Sequence, residues 1–590
     1  MGYTTEINIY HNAVLSKNQV MIRKAGITPA GSIQTFRPKP FCGRKKTGAV
    51  ATRSGNMALI SLDSVSFHYG TDDSLFHDLS LSIDTGWKTG LIGRNGRGKS
   101  TLLKLICGIS QPSIGRVSTP VDTYYFPYQP PEPRRETIKV IRESVAPFED
   151  WETQMERLLA DGSEESLHAY ADIQERYQSM GGYLIDGLIE REFSRLDLSA
   201  PLLKRPFESL SGGEQTRSLI AALFLRQDAF ALIDEPTNHL DIRGRDILGQ
   251  YLAQKQGFIL VSHDRYFLDL CVDHIVSIGK SGVTVSNGDY SSWRYNWQLQ
   301  QDFEQATNAK LAKEISQIQR AYQKRRVWAD RKEREKIGAA DKGHIGHMSA
   351  KLMKRAISLR RRVEERVAQK RQLFKDRETE YRLHLEVRNG TPEVPLVTKN
   401  LAISLGDTTL VENLSIDVHR GDRVAILGSN GCGKTSLLNA IEAAHAPNPK
   451  PVAGPISVTS GTIYIPAYLT VARSHQIPSW KTGQLSSLLE AVDIDVTRFR
   501  TIMGELGITG AIFERPLETY SEGELKKVDL CRTLCEPAHV VLWDEPLNYL
   551  DVQTREQLEE SLLLHKPTLV YVEHDRYFVE SVATEIIELK

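Results

Sequence analysis

Two tandem domains of mixed α/β type, joined by a long basic helical hairpin and with no transmembrane domain, form the fold predicted for this chain of 590 residues. Three observations predict it. One set of motifs occurs twice in the same order, a proline-free basic segment separates the two copies, and no apolar run reaches the roughly 18 residues that a bilayer-spanning helix needs.

Composition sets the frame. A hydrophobic share of 40% with a charged share of 25% describes a globular chain and excludes disordered, fibrous and membrane classes. The amino terminus carries no uninterrupted apolar segment of the secretory kind, which predicts a cytoplasmic protein. Cys42, Cys107, Cys271, Cys432, Cys531 and Cys535 form no CxxC pair, which argues against a zinc site or a disulfide framework. Cys531 and Cys535 lie one helical turn apart and could share a ligand, although buried thiols are the plainer reading. Net charge is zero but uneven: residues 1–56 carry +8 and residues 311–375 carry +13, leaving the remainder acidic. Such a local excess points to one polyanion contact rather than to indiscriminate binding.

The strongest local signal is a phosphate loop that occurs twice. Gly93-Arg-Asn95-Gly96-Arg-Gly98-Lys99-Ser100 and Gly428-Ser-Asn430-Gly431-Cys-Gly433-Lys434-Thr435 both match G-x4-G-K-[ST]. Each follows a strand-like run and opens a leucine-rich helical run, the context the motif requires. In such a loop, glycines let main-chain N–H groups close around phosphate oxygens, the lysine neutralises the outer phosphates, and the hydroxyl serves Mg2+. Thr101 and Ser436 follow directly and belong to the same candidate set.

Three further motifs follow each loop. The first copy has Leu210-Ser211-Gly212-Gly213-Glu-Gln215, then a strand ending in Asp234-Glu235-Pro236, then His263-Asp264; the second has Tyr520-Ser521-Glu522-Gly523-Glu524-Leu525, then Asp544-Glu545-Pro546, then His574-Asp575. Serine and glutamate are 24 residues apart in both copies. An isolated Asp-Glu pair or histidine would ordinarily be surface charge or a helix cap. Recurrence at matched positions makes these functional.

Both copies resemble the ATP-binding cassettes of the ABC superfamily. The resemblance implies two cassettes closing head to tail around two ATP molecules, the phosphate loop of one facing the signature serine of the other. It implies Asp234 and Asp544 as Mg2+ ligands together with Ser100 and Thr435, Glu235 and Glu545 as residues that polarise the attacking water, and His263 and His574 as contacts to the γ-phosphate. Tyr69 stands where cassettes place an adenine-stacking aromatic and Gln129 where they place a Mg2+-linked glutamine. The matching second-copy positions are read as Leu405 and Tyr468, and the second signature departs from Ser-Gly-Gly through Glu522 and Glu524. Two unequal sites follow, both retaining Glu and His and both expected to hydrolyse ATP.

Lysine and signature serine lie 112 residues apart in the first copy and 87 in the second. The extra residues fall near 151–182, where apolar residues recur at helical spacing on either side of Asp161-Gly162-Ser163, giving a helical hairpin within cassette 1 (residues 57–290). It projects as an arm or simply enlarges the helical subdomain. Residues 291–390 belong to neither copy, and cassette 2 takes 391–590. That interval is expected to hold two helices, Leu311 to Ile337 and Met348 to Lys375, joined by a glycine-rich tip. Lys336, Lys342, Lys351, Lys354 and Arg355 gather near the tip as candidates for phosphate-backbone contacts.

With that linker the resemblance narrows to the ABC-F family, over roughly Met57 to Lys590. The tip Asp341 to Lys354 and the stretch Trp543 to Tyr549 resemble its antibiotic-resistance branch, of the Vga, Lsa and Sal kind. This implies a monomer with intramolecular cassette pairing and no membrane partner, acting on the bacterial ribosome and contacting ribosomal RNA and transfer RNA. There it would displace drugs of the pleuromutilin, lincosamide and streptogramin A type from the peptidyl-transferase region. A housekeeping translation factor of the same family and the motor subunit of a drug-efflux transporter are the rivals; the second leaves the basic hairpin without a purpose. Residues 1–56 precede the first cassette strand and are expected to be an over-extended start or a disordered basic leader.

Overall fold

The computed structural model describes residues 58–589 apart from short breaks at 70–72, 131, 227–228, 239, 280–281, 493 and 509, and longer ones at 446–455 and over most of 335–389. All described residues belong to one compact unit, Met57–Lys590. Residues 1–56, the second linker helix apart from Arg361 and Glu365, and the tip lysines Lys336, Lys342, Lys351 and Lys354, with Arg355, lie outside the described residues.

The duplication is visible strand by strand. In the first half, strands run in the order Asp122–Phe126, Ala229–Asp234, Phe258–Val261, Lys88–Gly93, His274–Gly279 and Gly282–Asn287, all parallel except the last pair. In the second, the order Val471–Ser474, Val540–Asp544, Leu569–Val572, Arg423–Gly428 and Glu585–Leu589 repeats the parallel part. Each parallel sheet is accompanied by a three-stranded antiparallel sheet, centred on Leu59–Tyr69 in one half and Leu396–Leu405 in the other.

Parallel strands covered on both faces must be apolar throughout, and Phe258–Val261 and Val540–Asp544 are buried at every position. Successive side chains point to opposite faces, so each central sheet feeds two cores. Leu232, Ile259 and Val261 pack toward the antiparallel sheet, while Ala231, Ile233 and Leu260 pack toward the helices. Leu542, Val570 and Val572, against Val541, Trp543 and Tyr571, repeat the division.

In the first half, helices Phe148–Asp161 and Glu164–Ser179 form an antiparallel pair. Gly162 ends the first in the left-handed region (φ 67°), and Ser163 caps the second by accepting from Ser166 N. The two helices are mostly exposed, but Phe148 and Tyr177 anchor them in the subdomain core.

One boundary differs from the expectation. The helix placed from Leu311 begins at Tyr290 and runs to Arg334, 45 residues. Asp289 starts it, its carboxylate accepting from Ser292 N at 2.9 Å. No Gly or Pro interrupts residues 290–310, so nothing in that stretch stops the helix from extending back to the strand hairpin that precedes it. Among the described residues, no helix is long and apolar enough to cross a membrane.

Candidate functional site

The phosphate loops are held open by backbone conformations that side chains resist. Gly98 and Gly433 sit at φ 88° and 100°, and a Cβ there would meet Phe76 Cζ at 2.7 Å and Leu410 Cβ at 2.9 Å. Each lysine folds over its own loop. Lys99 Nζ donates to Gly93 O at 2.8 Å, and Lys434 Nζ to Gly428 O at 2.9 Å and Ser429 O at 2.8 Å. Gly93, Gly96, Gly428 and Gly431 share the positive φ of these turns. Burial lowers the Lys99 pKa, a cost the nearby Glu235, Asp551 and Asp234 offset in part.

The two halves meet at these loops. A cavity of about 980 Å3 is lined by Ser211, Gly212 and Gly213 of the first half and by Asn430, Gly431, Gly433, Lys434, Thr435 and Ser436 of the second, with Glu545 and His574 at its wall. One signature therefore faces the opposite phosphate loop. On the other side, Asn95 N donates to Asp551 Oδ2 at 3.0 Å and Asn95 Nδ2 to Tyr549 O at 2.7 Å. Tyr549 also lies against Gly523, whose added Cβ would meet its ring at 3.3 Å. Among the described residues, these contacts join the second half directly to the first phosphate loop.

Both signature serines cap helices through the same device. Ser211 accepts from Glu214 N while Glu214 accepts from Ser211 N, and Ser521 and Glu524 repeat it. Glu524 is thus the counterpart of Glu214. Within Ser-Gly-Gly the departure of the second signature is Glu522 in place of Gly212, with the Tyr549 hydroxyl 3.4 Å from its carboxylate.

Glu235 and Glu545 each follow the last residue of a buried strand, and both take φ 49°. A non-glycine residue in the left-handed region costs of order 1–3 kcal/mol and persists only where the surroundings enforce it. Here Glu235 N donates to Val261 O at 2.9 Å and Glu545 N to Val572 O at 3.0 Å. His263 Nε2 lies 3.4 Å from Glu235 Oε1, and His574 Nε2 lies 3.8 Å from Glu545 Oε1. Burial and the adjacent Asp234 push the Glu235 carboxyl up. Burial holds His263 well below its ordinary value, reinforced by Lys99, and brings His574 down to about 3, reinforced by Arg245. Both imidazoles are therefore neutral. Neither ring nitrogen of His574 has a hydrogen-bond partner among the described residues, leaving both free for a ligand.

The residues given to Mg2+ divide by site. Ser100, Gln129 and Asp234 offer three oxygen donors of the kind the ion takes, and Asp234 is oriented by the Tyr125 hydroxyl at 2.8 Å. Thr435 and Asp544 occupy the same places in the second half, but there the glutamine position must be revised. Phe126 pairs with Ile233 and Ser474 with Trp543, one residue before the aspartate in each half. Counted from that pair, the matching position falls at Gln476 and Ile477, which both line the second cavity, and not at Tyr468. Gln476 reaches Glu545 Oε1 at 3.4 Å. The spacing misled because Lys434 lies 40 residues before Ser474, whereas Lys99 lies 27 before Phe126. The first donor set fits the ion; the second fits it less well, because Asp544 already faces Arg473 Nη2 at 3.4 Å.

Tyr69 lies beside the first loop, its hydroxyl 3.0 Å from Thr101 Oγ1, and is largely exposed as a platform must be. Leu405 lines the cavity of the second site. Two residues escaped the sequence reading although the repeat contains them: Arg245 and Arg555, each four positions after the capping aspartates Asp241 and Asp551.

The chain is similar to known proteins over nearly its whole length. The ABC transporter family model matches residues 76–238 and 411–548, each spanning a phosphate loop and an Asp-Glu pair. The chain is 28% identical over 530 residues to the energy-dependent translational throttle protein EttA of Haemophilus influenzae, covering 87% of this chain and 89% of that protein. It is 27% identical over 530 residues to the ribosome protection protein VmlR of Bacillus subtilis, covering 88% and 85%. Among solved structures, the complex of archaeal ribosomal stalk protein aP1 with the ribosome recycling factor aABCE1 superposes with a TM-score of 0.55 at 20% identity, over 89% of this chain and 87% of that one.

Proposed function

We propose that this chain, which belongs to the ABC transporter family, is an ABC-F type ATPase that acts on the ribosome in the cytoplasm and uses cassette closure to reposition its basic linker. ATP hydrolysis follows from the family; the site assignments and the target are the proposal. The carrying observation is where the long helix starts. Its first residue, Tyr290, donates from its hydroxyl to Glu556 of the second cassette at 3.1 Å, and Arg294 pairs with the same carboxylate at 2.7 Å. Both ATP sites and the root of the linker thus lie on the seam between cassettes, so whatever closes the seam reorients the linker.

In this reading the main-chain groups of Gly93–Gly98 and Gly428–Gly433 cradle the phosphates, Lys99 and Lys434 neutralise them, and Ser211 and Ser521 close over the opposite site. Bound Mg2+ supplies further charge neutralisation, held at the first site by Ser100, Gln129 and Asp234. Glu235 and Glu545 orient water, and His263 and His574, neutral at physiological pH, hold the terminal phosphate without adding charge. Binding energy at the two interfaces shifts the population toward the closed form, and hydrolysis removes it.

The finer proposal is drug displacement. Similarity to a ribosome protection protein supports it, and the similarity to a translational throttle supports a housekeeping role on the same particle. Co-sedimentation with bacterial ribosomes in ATP tests the common part. Growth of a sensitive bacterium expressing the chain, scored against pleuromutilins, lincosamides and streptogramin A, separates the two: protection supports displacement, and binding without protection supports the throttle.

A further inference from the structure

The two nucleotide sites differ most at a place that no motif marks. On the strand next to each metal-site aspartate, two register positions before it, the first half has Tyr125 and the second has Arg473. Tyr125 is neutral and gives Asp234 one hydrogen bond. Arg473 is 4% exposed and sets Nη2 at 3.4 Å from Asp544 Oδ2 and at 3.1 Å from Asn439 Oδ1, with Nε 3.6 Å from Glu442 Oε2. A second cation is added from the signature helix. Lys526, 2% exposed, donates from Nζ to the main-chain oxygen of Asp544 at 2.8 Å and of His475 at 2.6 Å, where the first half has Thr216.

We propose that the Lys434 site binds ATP with little dependence on a divalent cation, because Arg473 is a built-in counter-ion for Asp544, whereas the Lys99 site requires the metal. Metal-free ATP approaching the first site meets Asp234 and Glu235, and its negative charge is repelled until a cation is placed between them. At the second site Asp544 carries its own cation. A guanidinium stays charged even when buried, so the compensation is permanent. The same cation repels a divalent ion, so metal affinity falls as metal-free nucleotide affinity rises. This inference stands on the ATP sites alone and holds whether or not the chain acts on the ribosome.

The test is binding, not turnover. With a non-hydrolysable ATP analogue at saturation, electron paramagnetic resonance of added Mn2+ should count one tightly held ion per chain carrying two nucleotides. Two equally tight ions would overturn the proposal. Titration of the analogue with Mg2+ and then with EDTA separates the sites. Lys99→Ala, which leaves the Lys434 site, should lose less than about threefold in affinity on chelation, and Lys434→Ala should lose more than about tenfold. Adding Arg473→Tyr to Lys99→Ala should bring back a dependence of about tenfold. Equal metal dependence in the two lysine variants also overturns it, and the Mn2+ count decides the matter on the unaltered chain if the tyrosine variant fails to fold.

Discussion

Arg245 of the first cassette donates from Nη1 to the main-chain oxygen of His574 in the second at 3.1 Å, and from the same nitrogen to its own Asp264 at 2.8 Å. Its counterpart Arg555 pairs with Asp575 at 2.9 Å. Each histidine loop is thus braced by a buried guanidinium, and one brace spans the seam.

Arg245→Lys keeps the charge but cannot span both acceptors. Turnover should fall about tenfold while ATP affinity changes by less than about threefold, because a transition-state arrangement is lost and not a ground-state interaction. Steady-state ATPase assays with equilibrium nucleotide binding check this; unchanged turnover would show that the brace has no part in closure.

Glu235 and Glu545 should behave as strained residues whose conformation is useful. The double change to Gln should retain ATP binding, abolish turnover and trap the chain on ribosomes. Glu235→Gly should also abolish turnover from the first site, yet raise stability by about 1 kcal/mol, since glycine takes φ 49° freely. Thermal melting beside ATPase assays reads both, and a Gly variant that melts lower removes the strain argument.

Acid should destabilise the fold through the histidines. Both His263 and His574 have folded pKa values below 6.5, so their contribution is present above pH 6.5 and is lost as pH falls below it, by about 2 kcal/mol at pH 5 for His574 with its folded value of about 3. Glu559 and Glu573, each raised to about 7 by burial, act in the opposite sense, adding stability as pH falls from 7 toward 4.5. The decisive quantity is therefore the difference between the unaltered chain and His263→Gln/His574→Gln. In chemical denaturation that difference should shift in favour of the variant between pH 7 and pH 5, and a constant difference would contradict buried neutral imidazoles.

The linker tip lies outside the described residues, and its role is tested in solution. Replacing Lys351, Lys354 and Arg355 with Ala should leave ATP binding intact and reduce the salt dependence of ribosome affinity by a slope of roughly 1 for each phosphate no longer neutralised. An unchanged slope with unchanged drug tolerance would favour a motor that works through its cassette surface.

Sequence carried the parts of the site that repeat at fixed distance. Ser211 to Glu235 and Ser521 to Glu545 are equally spaced because the same helix returns to the same strand in both halves, so those residues could be matched by counting. The second-half counterpart of Gln129 could not, because 40 residues separate Lys434 from Ser474 against 27 between Lys99 and Phe126. Arg473 was harder still. Its pairing with Asp544 depends on register between two strands some 70 residues apart, and no local pattern reports register. The helix start at Tyr290 was missed for another reason: charge marks the linker only from Leu311, whereas an aspartate cap and an uninterrupted helical run begin it earlier.

The long helix can be regarded as a crank. At about 1.5 Å per residue its 45 residues extend close to 70 Å. Its first turn is clamped to Glu556 of the opposite cassette, so a tilt of about 10° at the seam would sweep its far end through roughly 12 Å over that length. Small rearrangements around two phosphate chains are thereby converted into a displacement wider than a base pair, and the gain is set by helix length alone. Inserting or deleting whole turns would change the stroke without touching the engine.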